Sequence, residues 1–272
     1  MGDSRVVRVH SPDSRDRLRD VWPFRDMLRS LVVRDLSVKY QRSALGFLWT
    51  LLSPLIMLMV LIAVFSHIVR IPIERYWAFL VSGYFVWNCV QQSLTTATYV
   101  LQQHASLSRS VAFPGEVLVL GAAGAKLIEF LLELGLVLIV LAIFHHGTVP
   151  LSVLALPALI AIQFVLTVGL MYPIAVVSVL FRDVQHALPL VVTLLFYLSP
   201  VFYMVELVPE HLRPIYLLNP FAGLLTLFHT VLYDGAAPSL PLLAWVVGSA
   251  ALVHVVGYSI FKRYKATCVE LA

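Results

Sequence analysis

The sequence is poor in charged residues, and this scarcity excludes a soluble globular domain. Only 12% of its 272 residues are Asp, Glu, Lys or Arg, 60% are hydrophobic, and the mean hydropathy is +0.89. Soluble domains carry about 25% charged residues. Cysteine is scarce as well: Cys89 lies in an apolar run and Cys268 in a basic tail. We therefore expect neither a disulfide nor a metal site from them.

Motifs that hold nucleotides or carry out hydrolysis are also absent. The chain has no G-x-x-x-x-G-K-[ST], no H-E-x-x-H and no G-x-S-x-G. We expect no catalytic residue, no metal and no cofactor in this chain. If the protein uses ATP, the nucleotide and Mg²⁺ must be bound by a separate subunit.

Long apolar segments predict an all-α polytopic membrane protein with six transmembrane helices. A helix needs about 20 apolar residues to cross the hydrocarbon core. A seventh candidate, 215–233, is disfavoured because the residue before Pro220 is biased away from helix. The six predicted spans are 43–69, 76–101, 117–144, 149–181, 184–205 and 235–261.

The distribution of basic residues predicts that both termini are cytoplasmic. With six spans, 15 of the 19 Lys and Arg residues lie on the cytoplasmic side and three on the outer side. Such an asymmetry orients membrane proteins with the basic side inside. A seventh span would place the basic tail opposite the N-terminus.

The residues before the first span predict an amphipathic helix. We divide the chain into a flexible basic N-terminus (1–20), this helix (21–42), the transmembrane domain (43–262) and a cytoplasmic tail (263–272). The helix suits the membrane interface, with basic groups toward anionic headgroups; packing on a soluble partner is the alternative. Its apolar stripe comprises Phe24, Met27, Leu28, Leu31, Val32 and Leu36.

Three connections between spans have distinctive sequences. Arg182-Asp183 forms a very short cytoplasmic turn, most simply one at headgroup level. The cytoplasmic loop HASLSRSVAFPGE carries apolar groups that either lie on the membrane or insert into a soluble partner. The proline-rich outer segment, 204–241, suits two short re-entrant helices broken at Asn219-Pro220, or a structured cap without a gating role.

Polar side chains share faces of the second and third spans. Lys126 and Glu129 are spaced for an internal ion pair, whereas Glu133 on the same face has no obvious partner. The stripe on the second span fits either interhelical hydrogen bonds or a pore. It comprises Asn88, Gln92, Thr95, Tyr99 and Gln103.

The ordered motifs on this six-span frame resemble those of ABC-2 type permeases that export polysaccharides, the group of O-antigen and teichoic acid exporters. The most specific is RDLSVKYQRSALGFLWTLLSP, beginning at Arg34. Phe113-Pro114, FRDV (181–184), SPVFY (199–203) and LNPF (218–221) follow in order. The loop HASLSRSVAFPGE (104–116) resembles the family's coupling loop, which docks on the ATPase. It departs from the family pattern, since Arg109 is its only basic residue and Gly115 replaces a common arginine.

The resemblance implies roles for particular residues. Contact with the ATPase is expected from Arg109, Val111, Phe113, Pro114, Arg182 and Asp183. Entry of the lipid pyrophosphate is expected near Arg34, Lys39, Tyr40 and Arg42. Channel-lining candidates are Gln92, Thr95, Tyr99, Lys126, Glu129, Glu133 and Tyr197. Outer-gate candidates are Tyr203, Asn219 and Pro220.

The resemblance also implies a homodimer bound to two copies of a separate ABC ATPase in the bacterial cytoplasmic (inner) membrane. The expected activity is ATP-driven export of an undecaprenyl-pyrophosphate-linked, O-antigen-like polysaccharide, a step of lipopolysaccharide biosynthesis, with no enzymatic site in this chain. Export of drugs or other hydrophobic small molecules is the alternative within the fold. A membrane enzyme acting on lipid-linked sugars is the alternative outside it.

Overall fold

The computed structural model describes residues 25–40, 46, 48–103, 115–144 and 150–271, which contain no β-strand. The prediction of an all-α chain is confirmed for this part. A π-helical turn (Val64–Val69) extends α2, and 3-10 turns lie at Leu151–Ala155 and Val205–Leu207. In chain order the α-helices are α1 (Arg25–Tyr40), α2 (Leu48–Ala63), α3 (Tyr76–Ala97), α4 (Val100–Gln103), α5 (Gly115–Phe144), α6 (Leu156–Leu180), α7 (Val184–Tyr197), α8 (Arg213–Tyr216), α9 (Pro220–Leu232) and α10 (Leu240–Leu271).

Among the described residues, three helical segments are long and apolar enough to cross a bilayer. They are Leu48–Val69, Leu151–Leu180 and Leu240–Lys265, with 22, 30 and 26 residues. They coincide with the first, fourth and sixth predicted spans. Helices α3 and α5 coincide with the second and third, and at 22 and 30 residues they have the length that a span needs.

Helix α7 is shorter than the apolar run of 184–205 that predicted the fifth span. It has 14 residues and ends at Tyr197. The chain turns at Pro200, and a proline disfavours helix at the residue before it. The side-chain amide of Asn219 donates to the Leu198 carbonyl (3.2 Å), so a later segment caps this helix end. The helix therefore stops well before the apolar run does.

Helix α3 forms the centre of the bundle. Sixteen of its 22 residues are buried. It packs against α2, α5, α6, α7 and α9. Trp87 is 1% exposed, with its ring edge-on to Phe221 of α9 at 5.7 Å. The outer segment is thus built onto the same central helix as the long helices.

Helices α6 and α10 cross in backbone contact. A Cβ atom added at Gly257 would lie 1.8 Å from the Gly169 carbonyl oxygen. One added at Gly169 would lie 2.7 Å from the Cα of His254. Only glycine at both positions permits this approach.

Helix α1 packs on its own chain. Leu31 and Val32 are buried. A Cβ on Gly121 of α5 would lie 3.2 Å from Leu31, and one on Gly124 would lie 3.3 Å from Val32. The predicted helix is confirmed over residues 25–40, and α5 covers the middle of its apolar stripe. The side chain of Leu36 and all of Phe24 lie outside the described residues.

The crossing of α6 and α10 predicts that Gly257→Ala destabilises the protein. The new methyl group forces the two backbones apart, and overpacking of this kind costs about 1–3 kcal/mol. Gly248→Ala is the matched control, because a Cβ at that position of α10 meets no atom within 4 Å. Thermal unfolding in detergent should show a lower midpoint for Gly257→Ala alone. Equal midpoints for the two variants would contradict the close crossing.

Candidate functional site

Polar side chains of α3 and α5 meet inside the bundle. The Lys126 ammonium lies 2.9 Å from Glu129 Oε2 and donates to Gln92 Oε1 at 3.2 Å. The Asn88 amide donates to Glu133 Oε1 at 3.2 Å. The predicted pair of Lys126 with Glu129 is confirmed. Glu133, for which the sequence indicated no partner, finds one across the helix interface.

These groups are shielded from solvent. The side chains of Lys126 and Glu129 are 13% and 4% exposed, and Glu133 is 1% exposed. Ion pairs at this depth persist only where charge is compensated and the remaining polar atoms are bonded. Asn88 and Gln92 supply those bonds from α3. Of the two interpretations of the polar stripe, interhelical hydrogen bonding accounts for these two residues.

The rest of the stripe on the second predicted span behaves differently. Thr95 donates its hydroxyl to the Gln91 carbonyl of its own helix (2.8 Å), and Gln103 is exposed. Thr95 and Tyr99 are half-buried. Tyr197 of α7, also predicted to line a channel, is 59% exposed. The structure thus brings together Gln92, Lys126, Glu129 and Glu133, and places Thr95, Tyr99 and Tyr197 outside that cluster.

The turn between α6 and α7 presents Arg182 and Asp183 to solvent, next to Phe181, which is 63% exposed. Gln185 fixes this turn by donating to the Thr98 carbonyl (3.3 Å) and to the Gln102 side chain (2.9 Å). The turn is therefore tied to α4, the helix that leads into the predicted coupling loop. The other predicted coupling residues, Arg109, Val111, Phe113 and Pro114, lie outside the described residues.

The predicted entry residues lie on or just after α1. Arg34 is 45% exposed through its side chain and lies 3.6 Å from Asp35. Lys39 and Tyr40 belong to the last turn of α1. Arg42 is outside the described residues.

A contact that the sequence did not indicate joins α5 to α10. Lys265 Nζ lies 2.6 Å from Glu116 Oε1, in the first turn of α5. Glu116 is 7% exposed, and its carboxylate lies where the helix N-terminus favours negative charge. The partners are 149 residues apart, so no local spacing could have indicated the pair. Helix α10 thus reaches the first described residues after the predicted coupling loop.

The predicted outer-gate residues converge at the end of α7. Asn219 donates to the Ser199 hydroxyl (3.0 Å) and accepts from the Phe221 amide (3.0 Å), which caps α9 ahead of Pro220. Tyr203 donates to the Tyr197 carbonyl at 2.9 Å. The predicted break at Asn219-Pro220 is confirmed, with the short helices α8 and α9 on either side.

His229 is a second residue that the sequence did not single out. Its Nε2 donates to the Pro200 carbonyl (2.8 Å), its Nδ1 lies 2.7 Å from the Ser82 hydroxyl, and its ring stacks on Phe79 at 4.0 Å. Because a carbonyl only accepts, Nε2 carries the proton, and Nδ1 of the neutral ring accepts from Ser82. Burial lowers the pKa of His229 to about 4, which keeps the ring neutral at pH 7.

Comparison with known proteins gives a consistent result over most of the chain. Residues 27–233 match the ABC-2 type transporter family. The O-antigen export system permease protein RfbA of Myxococcus xanthus is 32% identical over 256 residues, which cover 93% of this chain and 98% of that protein. Two proteins of the same name from Klebsiella pneumoniae are 27% and 26% identical over 248 residues, 90% of this chain and 95% of each.

The cluster between α3 and α5 predicts that Lys126→Met is strongly destabilising. Removing the cation leaves an uncompensated buried carboxylate at Glu129, which typically costs about 3–5 kcal/mol. That cost is a large fraction of the free energy of unfolding of a typical domain, about 5–15 kcal/mol. The double variant Lys126→Met/Glu129→Met removes both charges and should recover part of the loss. Thermal unfolding in detergent measures both. A double variant that unfolds below Lys126→Met would contradict a charge-pair role.

Proposed function

Because the chain belongs to the ABC-2 type transporter family, we propose that it is the permease of an ATP-driven exporter that moves a lipid-linked, O-antigen-like polysaccharide to the outer face of the inner membrane. The observation that carries this proposal is the nearly full-length similarity to three O-antigen export permeases. The sequence contains no G-x-x-x-x-G-K-[ST] phosphate-binding loop, which is consistent with this proposal, and we assign ATP hydrolysis and its Mg²⁺ to a partner subunit.

The proposed topology has six spans and two cytoplasmic termini. Three apolar helical segments, the lengths of α3 and α5, and the excess of Lys and Arg on one side support it. Helix α9 begins at the Asn219-Pro220 break, and counting it as a seventh span would place the basic tail opposite the N-terminus. We assign α8 and α9 to re-entrant gate helices on the outer face.

In the proposed complex two copies of this chain associate with two copies of an ABC ATPase. The exposed turn Phe181–Asp183 and the loop 104–114 would contact the ATPase on the cytoplasmic side. The pyrophosphate of the lipid carrier would enter near Arg34 and Lys39, where α1 lies at the membrane interface. The family resemblance supports both contacts, as does the exposure of Phe181, Arg182 and Arg34.

The path of the glycan is proposed to pass beside the helices that the polar cluster holds together. Thr95, Tyr99 and Tyr197 are the candidates that lie outside that cluster and retain exposed surface. Hydroxyl groups and aromatic faces suit the hydroxyls and C–H faces of sugars. We also propose that Gln92, Lys126, Glu129 and Glu133 line this path, in addition to forming the contacts between α3 and α5.

Depletion of the protein tests the proposed function. We expect surface polysaccharide to fall while full-length undecaprenyl-linked glycan accumulates inside the cell, because synthesis continues when export stops. Both pools are measured in the same cells by lipid extraction and surface labelling, with a plasmid-borne copy as the control. Unchanged pools would overturn the glycan assignment and favour export of small molecules.

Charge reversal at the α6–α7 turn tests the proposed ATPase contact. Arg182→Glu should lower the amount of co-expressed ABC ATPase that co-purifies by about fivefold or more, since reversing a charge at an interface opposes association. Arg70→Glu is the matched control, an exposed arginine on the proposed outer side. Equal recovery of the ATPase with both variants would remove the turn from the docking surface.

A further inference from the structure

A cavity of about 130 Å³ lies between the C-terminal half of α9 and the outer segment that follows α7. Phe79 of α3 contributes to its wall, together with Tyr203 and Tyr233. A cavity needs about 10–15 Å³ to hold one water molecule, so this one is large enough for a small organic ligand. In the proposed topology it lies on the outer side of the membrane.

The walls of this cavity are held in place by hydrogen bonds from outside it. Tyr203 donates to the Tyr197 carbonyl and accepts from the Tyr216 hydroxyl (3.0 Å). Tyr233 donates to the Glu74 carbonyl. Arg213 donates to the Glu206 carbonyl (2.7 Å), which fixes the backbone at the cavity edge. The site is thus preformed.

The polar groups that line the cavity are acceptors. Glu206 and Asp234 supply carboxylates. Thr226 and Thr230 donate their hydroxyl hydrogens to carbonyls of their own helix, at 2.8 and 3.0 Å, which leaves their oxygens as acceptors. His229 has both ring nitrogens engaged, with Ser82 and Pro200. A ligand must therefore bring the donors itself.

The charge of the lining excludes an anionic ligand. Neither Lys nor Arg is among the residues that line this cavity. Burial and the charge of Glu206 raise the pKa of Asp234, so its carboxylate lacks compensation within the site. A phosphate would be repelled, whereas a ligand hydroxyl donating to Asp234 would stabilise the carboxylate.

We propose that this cavity binds one neutral sugar unit, with its hydroxyls donating to Glu206 and Asp234 and its C–H face against Tyr203 or Tyr233. That the sugar belongs to the exported polysaccharide rests on the proposed function. The site then holds the glycan part of the substrate, not its pyrophosphate, as the polysaccharide emerges on the outer face.

Binding of free monosaccharides to the full chain in lipid nanodiscs tests the site. Saturation-transfer NMR is recorded with glucose, galactose, mannose, rhamnose and N-acetylglucosamine, each in separate samples. We expect at least one sugar to bind, and Asp234→Ala to weaken it by about tenfold or more, the effect of losing a hydrogen bond to a charged group. Glu210→Gln, on the same outer segment but outside the cavity, should bind as the wild type does.

Thr230→Val, which preserves side-chain shape, provides a second variant in case Asp234→Ala lowers the thermal midpoint. Absence of binding by every sugar, or equal binding in the cavity variants and Glu210→Gln, would overturn the proposal. Calcium binding that Asp234→Ala abolishes, without sugar binding, would replace it with a cation site. Normal surface glycan in an Asp234→Ala strain would reject the site alone, because the depletion experiment tests the export function separately.

Discussion

A polar side chain inside an apolar bundle has no water to bind, so it requires a hydrogen-bond partner within the protein. In this chain that requirement fixes the packing of α3 on α5. Asn88 and Gln92 reach Glu133 and Lys126, and these contacts set the register of the two helices. Because α3 is the central helix, the same register determines where α2, α6 and α9 can pack.

The junction of α7 and α9 follows the same rule with neutral groups. Asn219 and His229 lie near opposite ends of α9, and both bind the short segment Leu198–Pro200 that follows α7. The end of α7, the start of the outer segment and α9 are thereby joined without a charge. Shielding of His229 keeps it neutral, so this junction holds its hydrogen bonds at ordinary pH.

Features set by neighbouring residues could be predicted from the sequence, and features set by tertiary contacts could not. The helices in the apolar runs, the Lys126–Glu129 pair and the break at Asn219-Pro220 all depend on local spacing. The partner of Glu133 and the Glu116–Lys265 pair depend on which helix faces which. Apolar composition predicts that helices are buried but does not predict their neighbours, since most helix faces here are equally apolar.

The backbone contact at Gly169 and Gly257 joins α6 and α10 into one rigid pair of helices. Side chains that interdigitate can exchange rotamers and allow helices to slide, but two backbones in contact have no such freedom. A displacement at one end of this helix pair therefore moves the other end as well. Lys265, near the C-terminal end of α10, joins this pair of helices to the first turn of α5. A movement of α5 would therefore tilt α6 and α10 together, because side-chain rearrangement at their crossing cannot absorb it.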